Sequence, residues 1–142
     1  MELKLDNSKL TQISKEVPEN KIPEAIEYAK EMVNFCRGKE LCLGASAVQF
    51  GRLDRMYVAK IRGIWNMFIN PVVMKKGNAT IRFKEGCISY PGQFKEIKRS
   101  KKIWISYIDH TGKRKTERFV DLHSVIMQHE VDHLAGIICM HK

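Results

Sequence analysis

Residues 129–133 read His-Glu-Val-Asp-His, two imidazoles four positions apart with a carboxylate directly after the first. On a helix, positions i and i+4 are neighbours about 5–6 Å apart at Cβ, so His129 and His133 can converge on one metal ion. Glu130 can then reach a water that the ion acidifies and accept the proton that would otherwise block nucleophilic attack. Such chemistry needs a third protein ligand. Only LAGIICMHK follows His133, without Asp or Glu, which disfavours a zinc protease with a later helix carboxylate. The pattern HExxHxxGxxH fits through Gly136 but meets Cys139 where its last histidine would stand. Upstream, Cys87 in KEGCISYPG offers a thiolate at a strand-to-turn position marked by Pro91 and Gly92. The competing reading is plain core, with hydrogen-bonded histidines and a small buried cysteine.

A metal-binding pair on a helix has to be held inside the protein, and the surrounding pattern predicts that burial. After Asp121, a residue type that caps helices, Leu122, Val125, Ile126, Met127, Val131 and Leu134 surround the helix axis. An earlier amphipathic helix is predicted over about 23–37. Pro23 suits its first turn, Ile26, Ala29, Met32, Val33 and Cys36 share a face, and Gly38 closes it. From Arg55 onward the texture is β-rich: RMYVAKI, MFINPVVM and ATIRFKEGCIS, then KIWISYID joined through HTG to KRKTERFV as a hairpin. No repeat, low-complexity tract or linker interrupts this order, so one domain over residues 1–142 is expected.

Composition agrees with a packed protein, since 44% hydrophobic residues can fill a core and 29% charged residues can solvate the outside. No run of about 18 apolar residues appears, and the N-terminal stretch lacks a secretory apolar segment. The expectation is a cytoplasmic protein with no membrane partner. Cys36, Cys42, Cys87 and Cys139 are then read as reduced thiols. A net charge of +9, with the runs KEIKRSKK and GKRKTER, suits an anionic partner such as RNA, although lysines also keep exposed strand edges from pairing.

Three stretches, GASAVQF (44–50), EGCIS (85–89) and QHEVDH (128–133), resemble in order and spacing the signature motifs of the peptide deformylases. The resemblance covers nearly the whole chain. It implies an α+β fold in which antiparallel β-sheets pack around a central C-terminal HExxH helix, with an N-terminal helix beside them. It also implies a metal-dependent hydrolase that removes the formyl group from the N-terminal formyl-methionine of nascent polypeptides, releasing formate. Carried over by position, the resemblance makes Cys87, His129 and His133 the ligands of one divalent ion. That ion would be Fe²⁺ in the cell, although the ligand set also suits Zn²⁺, Ni²⁺ or Co²⁺. Glu130 becomes the general acid and base, and Gln49 and the backbone N–H of Ile88 become donors to the oxyanion. Gly44 would admit the substrate backbone, while Leu43, Leu122, Val125 and Ile126 would wall the methionine pocket.

The same resemblance pairs Asp132 with Arg99, and Glu85 is read as orienting a ligand histidine through its free ring nitrogen. His110, His123 and His141 are not expected to bind metal. Cys42, Ser46 and Val48 stand where the family usually has glycine, a small residue and proline, so substrate range is less defined than reaction type. The chain ends soon after His133, where many bacterial members continue into a helix associated with ribosome contact; in this it resembles shortened forms found in some phages. A monomer with a transient ribosome contact is expected. Two other readings remain: a non-catalytic deformylase-like binder of ribosomal RNA, and an HExxH metalloprotease.

Overall fold

The computed structural model describes residues 1–4 and 7–142. Its elements run α1 (Asn7–Leu10), α2 (Ile22–Arg37), β1 (Gly44–Ser46), β2 (Met56–Ile61), β3 (Ile64–Lys76), β4 (Thr80–Cys87), β5 (Tyr90–Ser100), β6 (Lys102–Ile108), β7 (Arg114–Val120) and α3 (Leu122–Leu134). Short 3-10 turns at Glu19–Lys21, Ala47–Phe50 and Cys139–His141 complete them. A five-stranded sheet has the order β1-β2-β3-β6-β7, and β4 and β5 form a separate two-stranded sheet. Every strand pair is antiparallel. This is the expected α+β architecture with a C-terminal helix.

The period of two along the central strands explains the layering. In β2, Met56 and Val58 join the cluster that packs under α2, whereas Tyr57 and Ala59 join the cluster that packs over α3. β3 divides in the same way, Met67 and Ile69 facing α2 and Phe68 facing α3. The sheet is therefore sandwiched between the two helices, and its middle strands are apolar on both faces. α2 offers Ala25, Ala29, Met32, Val33 and Cys36 to one layer, with Pro23 in its first turn. It ends at Gly38, whose φ of −80° shows that the stop uses no left-handed residue.

α3 is buried on several sides, as its pattern predicts, so its polar residues need partners. Ser124 Oγ and Gln128 Nε2 both donate to the carbonyl of Ser100, each at 2.8 Å, and Gln128 Oε1 accepts from Ser100 N at 3.2 Å. These bonds tie the helix to the end of β5. Asp121 departs from expectation: it precedes the helix but makes no side-chain cap, because its backbone (φ 54°, ψ −126°) turns the chain sharply out of β7. The sequence pattern also missed β1 and β5. Along β5 only Ile97 and Arg99 are buried, so an alternating apolar signal is absent.

Candidate active site

Cys87 ends β4, where a register shift after Gly86 breaks the ladder and Cys87 pairs with Tyr90 across the turn Ile88–Ser89. This places the thiol beside the middle of α3. One ligand atom from each of Cys87, His129 and His133 lies within 4.8 Å of the others, and Cys87 Sγ is 3.4 Å from His133 Nε2. His133 Nδ1 is buried with no hydrogen-bond partner among the described residues. One sulfur and two imidazole nitrogens at this spacing fit a divalent transition metal.

The surroundings hold that set in position. Glu85, two residues before Cys87 on β4, sits with Oε1 3.0 Å from His129 Nδ1, which turns the opposite ring edge toward the cluster. Arg99 donates from Nε to Glu85 Oε2 at 2.7 Å, from Nη2 to Glu85 Oε1 at 2.8 Å and from Nη1 to Asp132 Oδ2 at 2.6 Å. The pairings expected of Glu85 and Arg99 are thus both present. Lys142 adds a second cation to Asp132 at 2.9 Å, a partner that the sequence motifs did not suggest. Cys139 also comes close: ligand atoms of Glu85, His129 and Cys139 lie within 4.8 Å of one another. Its set differs from that of Cys87, because Glu85 is already held by Arg99 on both carboxylate oxygens.

Glu130 lies against β1. The Ser46 hydroxyl donates toward Glu130 Oε1 at 3.0 Å and lies 3.1 Å from the Glu130 carbonyl oxygen. A Cβ at Gly44 would come within 2.8 Å of Glu130 Oε2 and 3.0 Å of the Val58 carbonyl. A side chain at this position would have to displace that carboxylate and would crowd the Val58 carbonyl. Gln49, in the turn that follows β1, accepts from Ser46 N at 2.9 Å through Oε1. Its Nε2 donates to Ser89 Oγ at 2.9 Å and Cys87 Sγ at 3.4 Å. The amide is therefore oriented toward Cys87, and Ser89 is a partner that sequence reasoning missed.

A groove of 560 Å³ opens on Cys87, His129 and Glu130, and Gly44 and Ile88 are on its wall. Leu43, Leu122, Val125 and Ile126 line it, while Phe83, Tyr90 and Phe94 contribute a second apolar wall that the sequence did not single out. Gln49 and His133 are fully buried behind this surface. The other histidines lie elsewhere: His110 is in the β6–β7 turn, His141 packs its ring against Tyr90, and His123 Nε2 accepts from the Arg62 backbone at 3.3 Å.

Burial and charge act differently on each titratable group. Burial raises the pKa of Glu130, opposed by His129 and by the Ser46 hydrogen bond, which leaves a carboxylate suited to exchanging protons closer to neutrality. Burial together with the charge of His129 holds His133 well below the usual imidazole range, in the neutral form a metal ligand needs. Burial would also lower His129, but hydrogen bonds from the Cys139 and Cys87 side and from Glu85 push it up. For Glu85, burial is outweighed by Arg99 and then His129, which bring the carboxyl down to about 2.

The family model described as polypeptide deformylase matches residues 3–142. A peptide deformylase of Fusobacterium nucleatum subsp. nucleatum is 33% identical over 135 residues, covering 94% of this chain and 77% of that one. Among solved structures, a probable peptide deformylase from Synechococcus phage S-SSM7 is 28% identical with a TM-score of 0.82, covering 99% of each chain. PDF from the Vibrio parahaemolyticus bacteriophage VP16T, solved in complex with actinonin, is 26% identical with a TM-score of 0.84, covering 97% of this chain and 99% of that one.

Proposed function

The chain belongs to the polypeptide deformylase family, and from that premise we propose how its own residues carry out hydrolysis of the formyl group on an N-terminal formyl-methionine. The observation that carries the reading is a buried carboxylate, Glu130, beside a Cys87, His129 and His133 cluster at the base of an apolar groove. The family is metal-dependent, and these three side chains would hold the ion. When bound, the ion supplies a Lewis acid that acidifies the attacking water and polarises the formyl oxygen. Glu130 accepts the proton from that water and returns it to the departing amine, leaving formate and a free N-terminus. Gln49 Nε2 and the backbone N–H of Ile88 stabilise the negative charge that develops on the formyl oxygen. Leu43, Gly44, Leu122, Val125 and Ile126 receive the methionine side chain and the adjoining backbone, an apolar lining matched to a thioether.

The finer assignments belong to the same proposal. Fe²⁺ is the ion in the cell, with Zn²⁺, Ni²⁺ and Co²⁺ able to replace it on a Cys/His₂ set. Residues 1–142 act as one catalytic domain, working as a monomer in the cytoplasm on nascent chains and touching the ribosome transiently. No helix among the described residues is long and apolar enough to cross a membrane. The decisive experiment measures formate release from a formyl-Met peptide and metal content on one oxygen-free sample. Formate release with iron bound is expected. Cleavage of an internal peptide bond, or binding of ribosomal RNA without turnover, would overturn the assignment.

A further inference from the structure

The Gly-Ala-Ser stretch of β1 makes a small receptor for one carboxylate. Residues 44 and 46 lie on the same face of the strand, the face toward α3, while Ala45 points into the cluster under α2. At position 44 the missing side chain leaves room for Glu130 Oε2, which a Cβ would meet at 2.8 Å. At position 46 a hydroxyl, fully buried, reaches Glu130 Oε1 at 3.0 Å and the Glu130 carbonyl oxygen at 3.1 Å, so its one proton is shared between the carboxylate and the main chain of the same residue. One oxygen is thus held by a donor, and the other is left at Gly44, a groove-lining residue.

Ser46 is also bound to the second polar group of the site. It begins the 3-10 turn Ala47–Phe50, and a reciprocal capping box links it to Gln49: the Ser46 side chain accepts from the Gln49 backbone, and the Gln49 side chain accepts from Ser46 N at 2.9 Å. With Oε1 occupied in this way, the amide of Gln49 presents Nε2 toward Ser89 and Cys87 rather than the reverse. The hydroxyl has one proton and two lone pairs, so donating to Glu130 while accepting from Gln49 N is chemically consistent. A single residue therefore touches both the proposed proton carrier and the proposed oxyanion donor, although Ser46 and Glu130 are 84 positions apart.

We propose that Ser46 is a positioning residue for deformylation: its hydroxyl selects the orientation of the Glu130 carboxylate, committing Oε1 and leaving Oε2 to exchange protons with the substrate side. The inference rests on the deformylase reading of the site. Removing the hydroxyl also takes the acceptor from the Gln49 backbone N–H, so the chemical role is separated from the capping role by the Glu130→Gln background, in which only the capping loss remains. A carboxylate without its donor samples rotations that misplace the accepting oxygen, and this loss is felt in the chemical step more than in peptide binding.

The test is Ser46→Ala, alone and combined with Glu130→Gln, with formate release from a formyl-Met peptide, metal content and thermal midpoint measured on each protein. In the Ser46→Ala protein, kcat is expected to fall about 10-fold with KM and metal content unchanged, the loss associated with a hydrogen bond to a charged group. In the Glu130→Gln background the same substitution should change the residual turnover by less than about 2-fold, because the carboxylate it orients is gone. Equal losses in both backgrounds would show a structural role and overturn the proposal, as would an unchanged kcat in Ser46→Ala. A wild-type protein that releases no formate would instead fail the deformylase reading, and this inference would fall with it.

Discussion

Glu130 and Gln49 are fully buried, so substitutions there are read by what they leave unpaired as well as by what they remove. Glu130→Gln preserves volume and can still accept from Ser46, but it cannot carry a proton. The variant should retain metal and lose at least about 10²-fold in turnover, measured as formate release against metal content per chain. A metal-loaded variant with near-normal turnover would remove Glu130 from the reaction. Gln49→Leu has two consequences. Loss of the oxyanion donor should lower kcat by about 10²-fold with little change in KM. Ser46 N also loses the acceptor it has at 2.9 Å, so the thermal midpoint should fall, by an amount equivalent to about 1–3 kcal/mol. A rise in KM alone would contradict the assignment of Gln49.

At the scale of elements, Arg99 is the joint between β5, β4 and α3, since its guanidinium holds Glu85 and Asp132 at once. Its side chain and that of Glu85 are each only 3% exposed, which makes a broken pair expensive. Arg99→Met should destabilise the fold by about 3–5 kcal/mol in urea melts, because Glu85 would remain buried without its cation. The same joint sets an acid limit. Burial raises the Glu85 carboxyl, but Arg99 and then His129 outweigh it and depress the pKa from 4.5 to about 2. A depressed folded pKa means that the stabilisation is complete above the unfolded value and is lost as pH falls toward the folded one. Stability of the metal-free protein should therefore decline from about pH 4.5 downward, by about 3 kcal/mol in total from this group. Melts taken across that range should show a smaller acid-side decline in Arg99→Met; an identical decline would assign it to other carboxylates.

For the whole molecule, 25 Lys and Arg against 16 Asp and Glu give a net charge of +9, and part of that charge gathers away from the groove. Lys75, Lys76 and Lys102 surround a shallow cleft with Trp104, over whose ring the Lys75 ammonium sits 5.2 Å from the centroid. If three such lysines meet ribosomal phosphates, affinity for ribosomes should fall about 40-fold between about 50 and 200 mM monovalent salt. Cosedimentation across that range measures the slope, and Lys75→Glu with Lys102→Glu should reduce it by about two units. Salt-independent association would point to an apolar contact instead.

The sequence by itself determined the features that depend on local periodicity. The four-residue step from His129 to His133 places both imidazoles on one side of a helix, and the apolar residues around that helix require it to be inside. The short apolar run in Met56–Ile61 and the turn at 109–112 likewise identify a buried strand and a hairpin before any packing is known. The three motifs, taken together, also indicated the family to which the chain belongs. Tertiary structure alone decided which faces meet. It brought Ser46 to Glu130, Ser89 to Gln49 and Lys142 to Asp132, and it put Cys139 beside His129 and Glu85. It also decided that Asp121 turns the chain instead of capping α3, and that β5, with only Ile97 and Arg99 buried, is a strand because β4 offers it a ladder. The reason is physical: helix and strand periods are set by backbone geometry within a few residues, whereas a hydrogen bond between distant side chains exists only after register and layer packing have placed both partners.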